Sequence, residues 1–577
     1  MPERMVRVSW RLLLLGLVLC LSSIGLVGRL AQLQILSHGH YAVEAEDEHM
    51  GVQKVLPPRG ALLDRNGYPL ALTVDAYDIY INRKVWQDQK LAADGAAALS
   101  PLVGRPAADI IAALGPETDG DYLLSAGLDY DTGKKIIDLG LPGVTASATI
   151  NRFHPEGDLA SALLGFLGRD QTGLAGLEAD FQDELGGVPG AVYFERDSMG
   201  NPISFGYRQS VQPQPASDVR LTIDRYIQEV VEQQLDATIA QYHANGGTII
   251  VMEPKTGAIL AMASRPSFKL SQLDLTDEGK MDLYRNRAVT DLYEPGSVMK
   301  VVTMATAVDL GLVTPNTTYE DSGAAYVGGA TILNWDFSAN GTTTMTQVLQ
   351  KSLNTGAVWV SQQIGPEKFY EYIKRFGFGQ PTGIELGGEA AGAVRTSEDP
   401  EWYPVDLATN AFGQGISVTP LQMITAVAAI ANGGLLMQPY IVQEVKGPDK
   451  DEVTQPKPVR QAISESTART LVGMMNDVVE GVPSHGARIA GYHVAGKTGT
   501  AYISVPGGYA PDRVIASFVG FAPANDPRIA MLVKIDEPQE SQLGGTVAAP
   551  VFAQTAPQIL TYLGVRPNAP VMVQQGN

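Results

Sequence analysis

GTIIVMEPKTGAILAMAS, residues 247–264, decides the fold. Two runs rich in Ile, Val, Met and Ala flank PKTG at Pro254–Gly257, where proline and glycine break any regular element, so the stretch reads as a β-hairpin. Working outward, HVAGKTGTAY from His493, RVIASFVGFAP from Arg513 and RIAMLVKIDEP from Arg528 read as three more strands, and a helix is predicted around Ala548 to Leu563. On the other side, LTIDRYIQEVVEQQLDATI from Leu221 carries Ile227, Val230, Val231 and Leu235 at helical spacing behind Asp224, a good N-terminal cap. The long block between the strand groups contains TMATAVDLGL and LQMITAVAAIANGG, which are helical patterns. Strands at both ends with helices between them predict an α+β domain, one antiparallel sheet flanked by helices.

The whole chain is too long for one ordinary core at 577 residues. Its formal charge of −20 disfavours nucleic acid and anionic lipid surfaces as partners, since no basic patch appears beyond the first residues. Cys20 is the only cysteine, which excludes an intramolecular disulfide, a C-x-x-C redox pair and a cysteine zinc site. Arg4, Arg7 and Arg11 precede 17 uncharged residues, Leu12 to Gly28, that end at Arg29. That length suits a membrane-spanning helix, and the leading cations place its N-terminus in the cytoplasm. No A-x-A cleavage pattern follows, so a retained anchor is favoured over a signal peptide. Leu19 is too large for a lipoprotein site at Cys20, which reads as a small residue facing lipid. The acidic run EAEDEH, Glu44 to His49, reads as part of a juxtamembrane helix. From Val52 to Ser217 the chain is short apolar runs and turn signals without a catalytic cluster, and proline-punctuated VQPQPAS at 211–217 reads as a linker.

Chemistry enters with YEPGSVMKVV, residues 293–302. Pro295 and Gly296 break the chain ahead of a helical pattern, so Ser297 falls at or beside its first turn and Lys300 three residues on, on the same face. A serine hydroxyl is a weak nucleophile until a base takes its proton, and a lysine serves if burial and nearby positive charge lower its pKa. Alone, S-x-x-K is more often an N-cap and a snorkelling lysine. Ser352 and Asn354 in KSLNTG add S-x-N, and Lys497, Thr498 and Gly499 add K-T-G, followed by Thr500, on a predicted strand. The order S-x-x-K, S-x-N, K-T-G is the signature of penicillin-binding proteins and class A β-lactamases. PKTG at 254–257 precedes the serine and is in the wrong order. No G-x-S-x-G elbow, H-E-x-x-H or P-loop is present.

With these motifs, and with PPRGALLDRNGYPLA from Pro57, GLAGLEADFQDELGGVPG from Gly173, RDSMGNPI from Arg196, LTIDRYIQ from Leu221, PKTGAILAMAS from Pro254 and FGQGISVTPLQ from Phe412, the sequence resembles the class B penicillin-binding proteins, monofunctional peptidoglycan D,D-transpeptidases. The resemblance implies a cytoplasmic tail (1–11), a transmembrane anchor (12–30), a pedestal or dimerisation-like domain (31–217), a transpeptidase domain (218–565) and a C-terminal tail (566–577). It implies a five-stranded antiparallel sheet flanked by helices, with an all-helical insertion. It assigns Ser297 as nucleophile, Lys300 as its base, Ser352 as proton relay and Asn354 as holder of Lys300 and the substrate amide. Lys497, Thr498 and Thr500 would receive the substrate carboxylate, Gly499 would let a substrate backbone lie against the strand, and the N–H groups of Ser297 and Thr500 would form an oxyanion hole. Expected partners are peptidoglycan stem peptides, β-lactams and a polytopic glycosyltransferase of the shape, elongation, division and sporulation family. No metal or cofactor is required. A division role is favoured over elongation by the compact length and the 173–187 segment. A class A β-lactamase is disfavoured because no E-x-x-x-N lies between Ser352 and Lys497. A D,D-carboxypeptidase and a catalytically weak β-lactam sensor or scaffold remain as alternatives.

Overall fold

The computed structural model describes residues 9–41, 49–197, 202–273, 275–482 and 485–569. Arg4, Arg7, most of the acidic run 44–49 and residues 198–201 of the segment from Arg196 lie outside the described residues. The described chain falls into two compact units, residues 1–57 with 187–215, and residues 58–186 with 216–577. In the first, the helix Trp10–Ala31 exceeds the predicted apolar run at both ends and continues through a wider turn to Leu36. None of its side chains is buried. Trp10–Leu36 has a mean hydropathy of 2.1 and is the one helix among the described residues long and apolar enough to cross a membrane. Met50–Val55, Gly190–Glu195 and Arg208–Val211 form an antiparallel sheet in which Val52 faces Tyr193 and Val192 faces Ser210.

The second unit holds the predicted sheet. Its strands are β1 (Gly246–Met252), β2 (Ile259–Arg265), β3 (Ala495–Val505), β4 (Gly508–Ala522) and β5 (Ile529–Asp536), in the antiparallel order β2-β1-β5-β4-β3. The period-2 alternation of each strand divides the core. Ile249, Val251, Val533 and Phe518 face the helices α1 (Arg225–Tyr242) and α5 (Gly544–Tyr562), with Val231, Leu235 and Phe552 between them. Ile250, Met252, Leu532 and Val519 face the opposite core with α2 (Lys300–Asp309) and α4 (Pro420–Ala431). The carboxylate of Asp224 caps α1 by accepting from the N–H groups of Tyr226 and Ile227 at 3.1 and 3.4 Å. β3 is an edge strand, which leaves one side of its backbone free.

The insertion between β2 and β3 is not all-helical. Beside its helices it carries the strand pairs Thr318–Asp321 with Gly341–Thr344, Ala324–Val327 with Ala330–Leu333, and Leu435–Met437 with Pro458–Gln461. Each run is only three or four residues, too short for an alternation to stand out against the helical patterns around it. Val442–Lys446 pairs with Asp218–Leu221 and so joins the seven-stranded sheet of the preceding region, which includes Pro69–Asn82, Asp121–Asp129 and Val144–Phe153.

Within that region Glu178 is fully buried between two guanidinium groups. Arg59 Nε donates to its Oε2 at 2.6 Å and Arg152 Nε to its Oε1 at 2.7 Å. Arg59 also donates to the Glu178 carbonyl (2.6 Å) and Gln182 Oε1 (2.9 Å), and Arg152 to the Gly60 carbonyl (2.7 Å). The quoted segments from Pro57 and Gly173 thus meet in one buried ion cluster.

Candidate active site

Gly296, at φ +57°, turns the chain into a single 3-10 turn, Gly296–Met299, which runs into α2 at Lys300. Ser297 lies half-buried in that turn, and Lys300 is 1% exposed. The segment after Phe412 clamps the turn: Gly296 N donates to the Gly413 carbonyl (3.0 Å), and Tyr293 and Val418 exchange N–H···O bonds of 3.0 and 2.9 Å. A Cβ on Gly413 would lie 2.2 Å from the Gly296 carbonyl oxygen, so the clamp needs glycine there. The sequence offered FGQGISVTPLQ as part of a resemblance without a role. A glycine pair in a loop gives no sign of what it touches.

Lys300 Nζ donates to the Ser352 carbonyl (2.6 Å), to Asn354 Oδ1 (2.8 Å) and to Ser352 Oγ (3.2 Å). Lys497 Nζ, also 1% exposed, reaches the same Ser352 Oγ at 3.0 Å and the Thr498 carbonyl at 3.1 Å. The structure therefore gathers Lys300, Ser352, Asn354 and Lys497 around one hydroxyl. Among the described residues no carboxylate pairs with either lysine and no hydrogen bond joins Lys300 Nζ to Ser297 Oγ. Burial, and then the charge of Lys497, hold the Lys300 amine well below the ordinary lysine range. Burial pushes Lys497 down to about 7. A neutral Lys300 can give its two N–H groups to the Ser352 carbonyl and Asn354 Oδ1 and keep a lone pair for a hydroxyl proton.

On β3, Lys497 and Gly499 share one face and Thr498 and Thr500 the other. A Cβ on Gly499 would meet Ser517 Oγ at 2.4 Å, Val298 Cγ2 at 2.9 Å and the Pro295 carbonyl oxygen at 3.0 Å. The space its missing side chain leaves is thus filled by Ser517 of the neighbouring strand and by the turn that carries Ser297, which packs directly on β3. Thr500 Oγ1 accepts from Gly544 N, at the start of α5, at 3.1 Å and keeps its own proton to donate. Thr498 is half-buried beside Lys497, whose Nζ lies 3.4 Å from its Oγ1. Contacts that local sequence did not announce are the bonds of Asn354 Nδ2 to the Leu333 carbonyl (2.9 Å) and of Trp335 Nε1 to the Lys351 carbonyl (3.1 Å). They come from the hairpin region read as helical. Trp335 stands 57% exposed beside the Ser352 segment.

Residues 247–556 match the penicillin binding protein transpeptidase domain, and residues 54–221 match the penicillin-binding protein dimerisation domain. The chain is 37% identical over 519 residues to stage V sporulation protein D of Bacillus subtilis, covering 89% of this chain and 79% of that protein. It is 32% identical over 575 residues to the peptidoglycan D,D-transpeptidase FtsI of Escherichia coli K12, covering 97% and 93% respectively. The crystal structure of penicillin binding protein 3 of Mycobacterium tuberculosis, complexed with aztreonam, superimposes with a TM-score of 0.69 at 28% identity, over 91% of this chain and all of that one.

Proposed function

Since the chain belongs to the class B penicillin-binding proteins, we propose that it crosslinks peptidoglycan as a D,D-transpeptidase through an acyl-enzyme on Ser297. One observation carries the reading: two buried lysines, without carboxylate partners among the described residues, converge on Ser352 Oγ, and one of them, Lys300, follows the half-buried Ser297 by three residues at the start of the same helix. Lys300 takes the Ser297 proton as Oγ attacks the carbonyl carbon of the penultimate D-Ala of a stem peptide. The tetrahedral oxyanion rests on the N–H groups of Ser297 and Thr500. As it collapses, the C–N bond breaks and D-Ala leaves with a proton passed from Lys300 through Ser352 Oγ–H, which Lys497 orients. The amine of a second stem then attacks the ester, its proton returns through the same groups, and Ser297 is regenerated. Lys497, Thr498 and Thr500 hold the donor carboxylate along the free edge of β3, and Asn354 holds Lys300 and the substrate amide. A β-lactam imitates the donor and acylates the same serine; water in place of the amine gives a carboxypeptidase side reaction.

The helix Trp10–Ala31 serves as a single-pass anchor with its N-terminus in the cytoplasm and residues 218–565 as the extracytoplasmic catalytic domain. Residues 31–217 form the pedestal, and a polytopic glycosyltransferase binds there and at the anchor. The division septum is the proposed place of work, favoured by the compact length and the 173–187 segment, and the position of a fluorescent fusion at septum or sidewall tests it. The activity is tested by incubating the full chain with donor and acceptor stem peptides after fluorescent penicillin labelling. Crosslinked dimer is the expected product. Labelling with only hydrolysed donor would make the protein a carboxypeptidase, and labelling with neither product would make it a sensor.

A further inference from the structure

Ser352 has a backbone φ of +55°, in the left-handed region that a residue with a side chain occupies only under strain. That conformation sets its Oγ between the two lysines while its carbonyl meets Lys300. Something must hold it, and the neighbouring segment 333–340 grips residues 351–355 at five points. Trp335 Nε1 donates to the Lys351 carbonyl (3.1 Å) and Lys351 Nζ to Asn340 Oδ1 (3.0 Å). Asn354 Nδ2 donates to the Leu333 carbonyl (2.9 Å), which fixes the amide so that Oδ1 turns to Lys300. Thr355 N donates to Asn334 Oδ1 at 3.2 Å, and Thr355 Oγ1 lies 2.9 Å from the same oxygen.

At the root of this grip sits one carboxylate. Asp321 is 1% exposed and touches no cation among the described residues, yet its Oδ1 accepts from Gly323 N (3.0 Å), Asn334 Nδ2 (3.2 Å) and Thr355 Oγ1 (2.8 Å). Its Oδ2 accepts from Asn334 Nδ2 (3.0 Å), Asn340 N (3.0 Å) and Asn340 Nδ2 (2.8 Å). Burial pushes this carboxyl up, but the bonds from Asn340, Thr355 and Gly323 outweigh it and hold it below the ordinary aspartate range. Beyond tying the ends of the short strand pairs at Gly323 and Asn340, this charge joins the segment 333–340 to the first turn of α3 (Asn354–Ile364), where the S-x-N motif ends.

We propose that Asp321 is a positioning residue for acyl transfer, acting through Thr355 and Asn334 to keep Ser352 and Asn354 aimed at Lys300. The proposal rests on the reading of Ser297 and Lys300 given above. It requires that loosening Asp321 slow the bond-forming step more than it weakens non-covalent binding. Asp321→Asn puts an NH₂ where Oδ2 received the Asn340 donors, or, if flipped, where Oδ1 received Thr355. Thr355→Val removes the linking hydroxyl at nearly constant shape, and Thr355→Ser keeps it.

The test is acylation of the full chain in detergent by a fluorescent penicillin, separating the acylation rate constant from the affinity of the initial complex, with a thermal melt of each variant. Asp321→Asn and Thr355→Val should each lower the rate constant about tenfold with affinity changed less than about twofold. Thr355→Ser should stay within about twofold of wild type, and the double variant Asp321→Asn/Thr355→Val should lose less than the product of the single losses, as coupled residues do. Folded Asp321→Asn and Thr355→Val proteins that acylate within about twofold of wild type, or that lose affinity rather than rate, would overturn the proposal. If Asp321→Asn does not fold, the Thr355 pair decides alone. A Ser297→Ala control that still labels would instead sink the assignment of the nucleophile.

Discussion

Arg59 and Arg152 share the carboxylate of Glu178, whereas Lys300 and Lys497 share only the hydroxyl of Ser352. Both clusters are buried, and their opposite treatment follows from what each cation can do. A guanidinium keeps its proton at any pH a protein meets, so once buried it must be given a counter-charge. An amine can shed its proton, and burial without a counter-charge favours the neutral form. The paired cluster ties segments together; the unpaired one supplies the base of the proposed mechanism. A buried carboxylate within reach of Lys300 would restore its proton and end its use as a base.

Replacing Lys300 gives the largest effect. Lys300→Ala should lower the rate of penicillin acylation by about a thousandfold or more, as expected when a base acting with its nucleophile is lost, read by the appearance of labelled protein with time. A near-wild-type rate would make the amine a packed side chain and erase the contrast. Glu178→Gln, at the other cluster, should cost about 3–5 kcal/mol of stability in denaturant unfolding, because two guanidinium groups lose their carboxylate. The folded variant should acylate at close to the wild-type rate. A small stability loss with a large rate loss would invert the roles given to the two clusters.

A subtler effect is expected at Lys497. In the proposed mechanism its ammonium form binds the ligand carboxylate, and as pH rises through about 7 the free protein loses that charge, so acylation at low ligand concentration should fall on the alkaline side. The groups facing it are Lys300, whose positive form would lower it further, and the neutral His485, held down to about 4 by burial and by Lys497 itself. Lys497→Arg stays charged, so its alkaline limb should move up by at least about one pH unit, whatever its overall rate. An unmoved limb would assign the titration to another group.

How much of this could be seen in the chain depends on distance along it. The sheet was legible because each strand is its own short apolar run rich in β-forming residues, buried on both faces, and the hairpin 247–264 closes within a few residues. The site was legible as three short motifs in a fixed order, and the fold brings Lys300, Ser352, Asn354 and Lys497 together. The short pairs 318–344 and 324–333 were hidden in a block read as helical, and with them Asp321, which meets Thr355 across 34 residues of chain. Gly413 and Gly499 were visible as glycines, but the steric reason for each, the turn around Ser297 packed against it and, for Gly499, Ser517 as well, is a tertiary fact.

The central claim, that Ser297 is the residue acylated, is tested most directly by mass-spectrometric mapping of the benzylpenicillin adduct on the full chain and on Ser297→Ala. One adduct on the peptide carrying Ser297, absent from a Ser297→Ala protein with an unchanged thermal midpoint, is the predicted result. An adduct that persists in Ser297→Ala on another serine would contradict it.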